Sequence, residues 1–116
     1  MTASNFDEFV LPKAEEAPHA VVLDWYRRLE LTIRGYLASR NVSYHNGSEA
    51  ENVIAGDALL GVEFATQIRE LRCVRNRIAH ESVSMTPAEA VSIARQALSL
   101  IGRVLRAQDF HAASWP

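Results

Sequence analysis

Between Pro18 and Ala107 apolar residues return every third or fourth position, and no segment sustains an apolar–polar alternation of period two. That periodicity allows amphipathic helices and disfavours a sheet. Val22, Trp25, Tyr26, Leu29, Ile33, Tyr36 and Leu37 form one stripe, in a helix that Pro18 opens and that runs to about Arg40. Glu30 and Arg34 are spaced as an ion pair on it. "NVSYHNG" breaks the pattern with Asn41, Asn46 and Gly47. A second helix is expected from Ser48, whose spacing to Glu51 is that of a capping box, through Val53, Ile54, Ala58, Leu59 and Leu60 to Gly61. A third is expected from about Glu63 to His80. The fourth has the clearest entry, with Thr86 as N-cap, Pro87 at the first helical position and Glu89 closing a capping box, and is expected to end near Ala107. The fold class expected is all-α, a four- or five-helix bundle.

The chain of 116 residues is long enough for one core and too short for two domains. Residues 18–107 read as the helical domain. Residues 1–17 read as a leader that is either loosely ordered or docked through Phe6, Phe9, Val10 and Leu11. Residues 108–116 read as a short C-terminal tail, in which Phe110 and Trp115 either fold back or meet a partner. No apolar run reaches membrane-span length, and the N-terminal stretch lacks the layout of a signal peptide, so a cytoplasmic protein with no membrane partner is expected. Cys73 is the single cysteine, and His19, His45, His80 and His111 are dispersed, which leaves no disulfide, no expected metal site and no expected cofactor. A net charge of −2 argues against wrapping duplex DNA but permits a local basic cleft.

Such a cleft is suggested by "RELRCVRNRIAHE" at residues 69–81. On a wheel of about 100° per residue with Phe64 at zero, Ile68, Leu71 and Ile78 lie within roughly 40° of it, and Arg75 lies at about 20°, inside the same stripe. Arg69, Arg72, Asn76 and His80 form a polar band from about 80° to 160°. Asn76 and His80, four residues apart, are able to act on one bound group. An arginine on an apolar stripe is costly unless paired or placed at an opening. The bland explanation is that Arg75 snorkels, or pairs with Asp57 or Glu30, while Arg69, Arg72 and Arg77 form a solvated face with Glu70 and Glu81. The sharper one joins a guanidinium for phosphate with an imidazole for proton transfer, a set suited to attack of a ribose 2′-hydroxyl on the adjacent phosphodiester.

At "RNRIAH" the sequence resembles the HEPN superfamily, small α-helical domains with an R-x(4–6)-H signature often followed, after the arginine, by a polar residue. Arg75, Asn76 and His80 match it with four intervening residues. "LELTIRGYL" is similar to the opening helix of these domains. The resemblance implies a homodimer with a composite cleft and metal-independent endoribonuclease activity that leaves a 2′,3′-cyclic phosphate. It also implies a toxin–antitoxin or phage-defence setting, with an antitoxin as a partner. It implies His80 as general acid or base, Arg75 as phosphate and transition-state contact, and Asn76 as an orienting donor. Arg69, Arg72 and Arg77 are the expected RNA-binding residues. Two departures stand out: "HESV" has no tyrosine after the histidine, so neutralisation by modification of that tyrosine is not carried over, and no nucleotidyltransferase domain is fused to the chain. The alternative is a catalytically silent module of the same fold that binds RNA, nucleotide or protein; a helical interaction domain without a nucleic-acid role is the third class.

Overall fold

A computed structural model describes residues 3–114 of the chain, with side chains from 5 to 113. Trp115 lies outside the described residues. The five helices are α1 (Ala3–Glu16), α2 (Pro18–Ser39), α3 (Gly47–Ala55), α4 (Gly61–His80) and α5 (Pro87–Ser114), and no strand occurs among the described residues. The expected all-α architecture is therefore the one observed. No helix is long and apolar enough, among the described residues, to cross a membrane.

The long α2 and α5 form the spine. At 28 residues, α5 spans roughly 42 Å of a molecule 48 Å in its longest dimension. Its inward positions are mostly small (Ala90, Ala94, Ala97, Ala107), with Leu100 and Val104 among them, and all are buried. Small side chains along the seam let α2 and α5 approach closely. Thr86 caps α5 as the sequence predicts: Glu89 N–H donates to Thr86 Oγ1 at 3.1 Å, and Thr86 N–H donates to Glu89 Oε1 at 3.2 Å.

Two apolar clusters lie along the spine. One joins Leu29, Ile33, Tyr36 and Leu37 of α2 to Ile54 of α3, Phe64, Ile68 and Leu71 of α4, and Leu100 and Val104 of α5. The other joins Phe6, Val10 and Ala14 of α1 to Val21, Val22, Ala90, Val91 and Ala94. Trp25 and Ile93 pack against both. Burying a large side chain such as Phe6 contributes about 2 kcal/mol.

Four boundaries differ from the sequence reading. Residues 3–16 are helical, with Phe6 and Val10 buried and Phe9 and Leu11 largely exposed. Arg95 clamps this helix to α5 through two hydrogen bonds to Asp7, at 2.5 and 3.2 Å. The Ser48–Glu51 capping box does not form. Asn46 caps α3 instead, its Oδ1 accepting from Glu49 N–H at 2.9 Å while Glu49 Oε2 accepts from His45 N–H at 3.1 Å. The α3 helix also stops at Ala55, short of Leu60, because Asp57 Oδ1 takes the Leu59 and Leu60 N–H groups and Gly61 turns the chain at φ +82°. Finally, α5 passes Ala107 and reaches Ser114, where the sequence reading has a tail. His111 then lies against the end of α2, its Nε2 accepting from Arg40 Nη1 at 2.5 Å.

Candidate active site

The site residues ride on α4, and the path of that helix decides what each can do. Phe64, Ala65, Ile68 and Leu71 are buried in the first cluster. Past Leu71 the buried side turns: Val74 and Ile78 pack, partly buried, on the α1-containing cluster. Arg75 falls between the two contact lines and is exposed. The guanidinium that the wheel puts inside the stripe therefore faces solvent. The pairing with Asp57 or Glu30 weighed above is not made: Asp57 binds Arg40, and Glu30 binds Arg27 at 3.5 Å rather than Arg34.

Arg75 Nη1 donates to Asn76 Oδ1 at 3.2 Å. That bond uses the amide oxygen of Asn76 and leaves its NH₂ as a donor for something else. His80 ends α4 and is exposed, its imidazole making no hydrogen bond to any described residue. Arg69 is exposed one turn or so before Arg72 on the same band.

Arg72 has a different fate. Its Nε and Nη2 hydrogen-bond the two oxygens of Glu51, the second at 3.1 Å, and the carboxylate side chain is only 8% exposed. The Glu51 hydrogen bond holds the Arg72 guanidinium above its ordinary pKa, against the effect of burial. Gly47 permits this crossing, since a Cβ there would sit 3.0 Å from Arg72 Cδ. Arg77 departs from the group in direction as well. It lies roughly 160° around the helix from Arg75 and forms an exposed pair with Glu81 at 3.7 Å. The structure thus brings Arg75 and Asn76 into contact, leaves His80 and Arg69 open on the adjoining band, ties Arg72 inward, and turns Arg77 away.

Tyr26 of α2 stands behind this surface and was not singled out by its sequence position. Burial, followed by Glu30, pushes its phenol up to about 12, while Arg72 and Arg75 act in the opposite direction. It is therefore a neutral hydroxyl at physiological pH. Glu51 was likewise missed, because the S-x-x-E pattern gave it a different role. A second polar cluster, Tyr36–Arg40–Asp57–His111, sits at the other end of α2. Tyr36 OH donates to Asp57 Oδ2 at 2.8 Å, and Arg40 Nη1 donates to the same oxygen at 2.8 Å. Only the Tyr36–Arg40 spacing of four was visible in sequence. Burial works against the Asp57 carboxylate, yet hydrogen bonds from Leu59, Tyr36 and Leu60, with the charge of Arg40, hold its pKa below the ordinary value.

Among the described residues no three His, Cys, Asp or Glu side chains stand together as a metal-binding group. No family model matches the chain, and neither a curated protein nor a solved structure shows significant similarity to it.

Proposed function

We propose that the chain is a HEPN-type endoribonuclease, working as a homodimer on RNA in the cytoplasm without a metal ion, in a toxin–antitoxin or phage-defence role. The observation that carries this reading is the state of Arg75: an exposed guanidinium with no carboxylate partner among the described residues, bonded to Asn76, on a helix that ends in an exposed His80. A cation kept for structure is normally paired, as Arg72 is.

In the proposed reaction Arg75 binds the scissile phosphate and stabilises charge on its non-bridging oxygens. A His80 imidazole takes the proton from the 2′-hydroxyl as its oxygen attacks phosphorus. The bond to the 5′-oxygen breaks, and that oxygen leaves with a proton from an imidazolium. The products are a 2′,3′-cyclic phosphate and a free 5′-hydroxyl. One chain supplies one His80, so a second copy gives the reaction both its base and its acid. The Asn76 amide NH₂ orients a phosphate or ribose oxygen. Arg69 extends the electrostatic surface for RNA, with the remaining donors of Arg72 beside it and Arg77 at its margin.

The test incubates wild type, His80→Ala and Arg75→Ala with labelled RNA in EDTA. Cleavage by wild type, cyclic-phosphate ends and loss in both variants are expected. Absence of cleavage by wild type, or equal cleavage by all three, refutes the enzyme; retained RNA binding would then identify the silent module.

A further inference from the structure

Between α2, the 40–46 connection and α3 lies a cavity of about 250 Å³. Its inner wall is apolar, formed by Leu29, Ile33, Ala50, Ile54 and Ile68. Its remaining lining is polar or aromatic: Tyr26, Tyr44 and His45, with Glu30, Arg34 and Glu51. Two features set it apart from a packing defect. Tyr26 is 8% exposed, and its hydroxyl makes no hydrogen bond to any described residue. No buried side-chain nitrogen or oxygen among the described residues lacks a partner, so this unpartnered hydroxyl is reached by solvent at the cavity and is free to bond an occupant. Glu51 also has unused capacity. A carboxylate offers about four acceptor positions, and Arg72 engages only two of its hydrogen-bonding directions.

Drug-sized pockets begin near 300 Å³, so this volume suits a single planar ring system better than a whole nucleotide. Unpaired RNA bases are bound by aromatic contact on their faces and hydrogen bonds on their edges. Tyr44 and His45 supply the aromatic surface, and Tyr26 the hydroxyl. Glu30 and Glu51 accept hydrogen bonds but donate none, which selects a base edge carrying an exocyclic amino group. The cavity also adjoins the phosphate-binding surface. Gly47 lines it and lies against Arg72, while the Tyr26 phenol feels the charges of both Arg72 and Arg75.

From these contacts we infer that the α2–α3 cavity is a base subsite, taking one unpaired adenine, cytosine or guanine of an RNA whose phosphate lies toward Arg75. This rests on the RNA-directed reading above and adds to it a location and a chemical preference.

The experiment is titration of the isotope-labelled full chain, in EDTA, with the 3′-monophosphates of adenosine, cytidine, guanosine and uridine, and with inorganic phosphate. The readout is the methyl resonances of Ile33 and Ile54. The three amino-bearing nucleotides are expected to shift both methyls, uridine monophosphate to bind at least about threefold more weakly, and phosphate to leave them unmoved. Tyr26→Phe, which keeps the ring and its packing, is expected to weaken binding by up to about tenfold, the loss of one hydrogen bond. Glu30→Gln is expected to narrow the gap between uridine and the others. Shifts confined to α4 and reproduced by phosphate, equal affinity for uridine, or unchanged affinity in Tyr26→Phe each overturn the subsite. Cleavage is scored separately on wild type: cavity shifts without cleavage remove the enzyme and keep the subsite, whereas cleavage without cavity shifts does the reverse.

Discussion

Arg72 and Arg75 stand three positions apart on α4, yet the Arg72 side chain is 26% exposed and fixed to Glu51, whereas Arg75 is exposed and bonded, among the described residues, only to its neighbour Asn76. Side-chain chemistry does not distinguish them. The difference comes from the short α3, which has only nine residues and whose first, Gly47, packs against Arg72. Residues of α4 beyond that crossing have no α3 to cover them. The α1-containing cluster receives Val74 and Ile78 on the other side of the helix, and Arg75 is left at the gap. One arginine is therefore tied into the structure and the other is left exposed.

The largest effect expected from this division is on catalysis. Arg75→Ala and His80→Ala are expected to lower the RNA-cleavage rate by about 10³-fold, within the range for removing an electrostatic stabiliser or a general acid–base. Because both side chains are exposed, unfolding free energy should change by no more than about 0.5 kcal/mol. Cleavage kinetics and urea titrations on the same samples check the two halves. A large loss of stability in Arg75→Ala would move Arg75 into the structural group with Arg72.

Arg72→Ala should show the opposite balance. Removing the guanidinium leaves the buried Glu51 carboxylate unpaired, at a cost of about 3 kcal/mol. The double variant Arg72→Met with Glu51→Leu removes both charges and should recover most of that loss, since an apolar pair of similar volume is often neutral. Urea denaturation of the two variants and wild type measures this. An Arg72→Ala protein as stable as wild type would show that the ion pair does not fix α3 to α4.

A smaller, pH-dependent effect is expected at the far end of α2. The Asp57 carboxyl has a lowered pKa in the folded state, so the unfolded chain binds its proton more readily. Its contribution is therefore complete above the ordinary value of 3.8 and fades as pH falls toward the lower folded value. Asp57→Asn should cost about 2 kcal/mol at pH 7, typical of hydrogen bonds to a charged group. The cost should shrink below about pH 4. Denaturation at a series of pH values tests the sign. A constant difference across the series would assign the loss to packing.

The sequence made the helices and the Arg75–Asn76–His80 motif legible, because each rests on local spacing. The Thr86–Pro87–Glu89 entry of α5 formed as read, since every partner lies within one turn. The readings that differed depend on long-range competition. Glu51 had the spacing of a capping residue, but a buried pair with Arg72, 21 residues away, outweighed it and Asn46 took the cap. The continuation of α5 to Ser114 places His111 on Arg40, a contact across 71 residues that no periodicity announces. The exposure of Arg75 was hidden for a similar reason. A wheel treats the core as lying on one straight line, while here the buried face of α4 turns after Leu71.

Arg77 offers the smallest test of the comparison and the sharpest on direction. It is two residues from Arg75, so it carries the same charge at nearly the same height on the helix but points roughly 160° away. Its pair with Glu81 is exposed at both ends and spaced by four, which contributes about 0.3–0.5 kcal/mol and is screened by salt. Arg77→Ala is expected to change stability by no more than that, with the difference disappearing in about 1 M salt. If RNA crosses the Arg75–His80 side of α4, Arg77 adds only long-range attraction. Its loss should then weaken RNA binding by a few-fold at low ionic strength and leave single-turnover cleavage within about twofold of wild type. A cleavage defect as deep as that of Arg75→Ala would mean that RNA engages both sides of the helix, and direction around α4 would no longer separate the ligand-facing arginines from the rest.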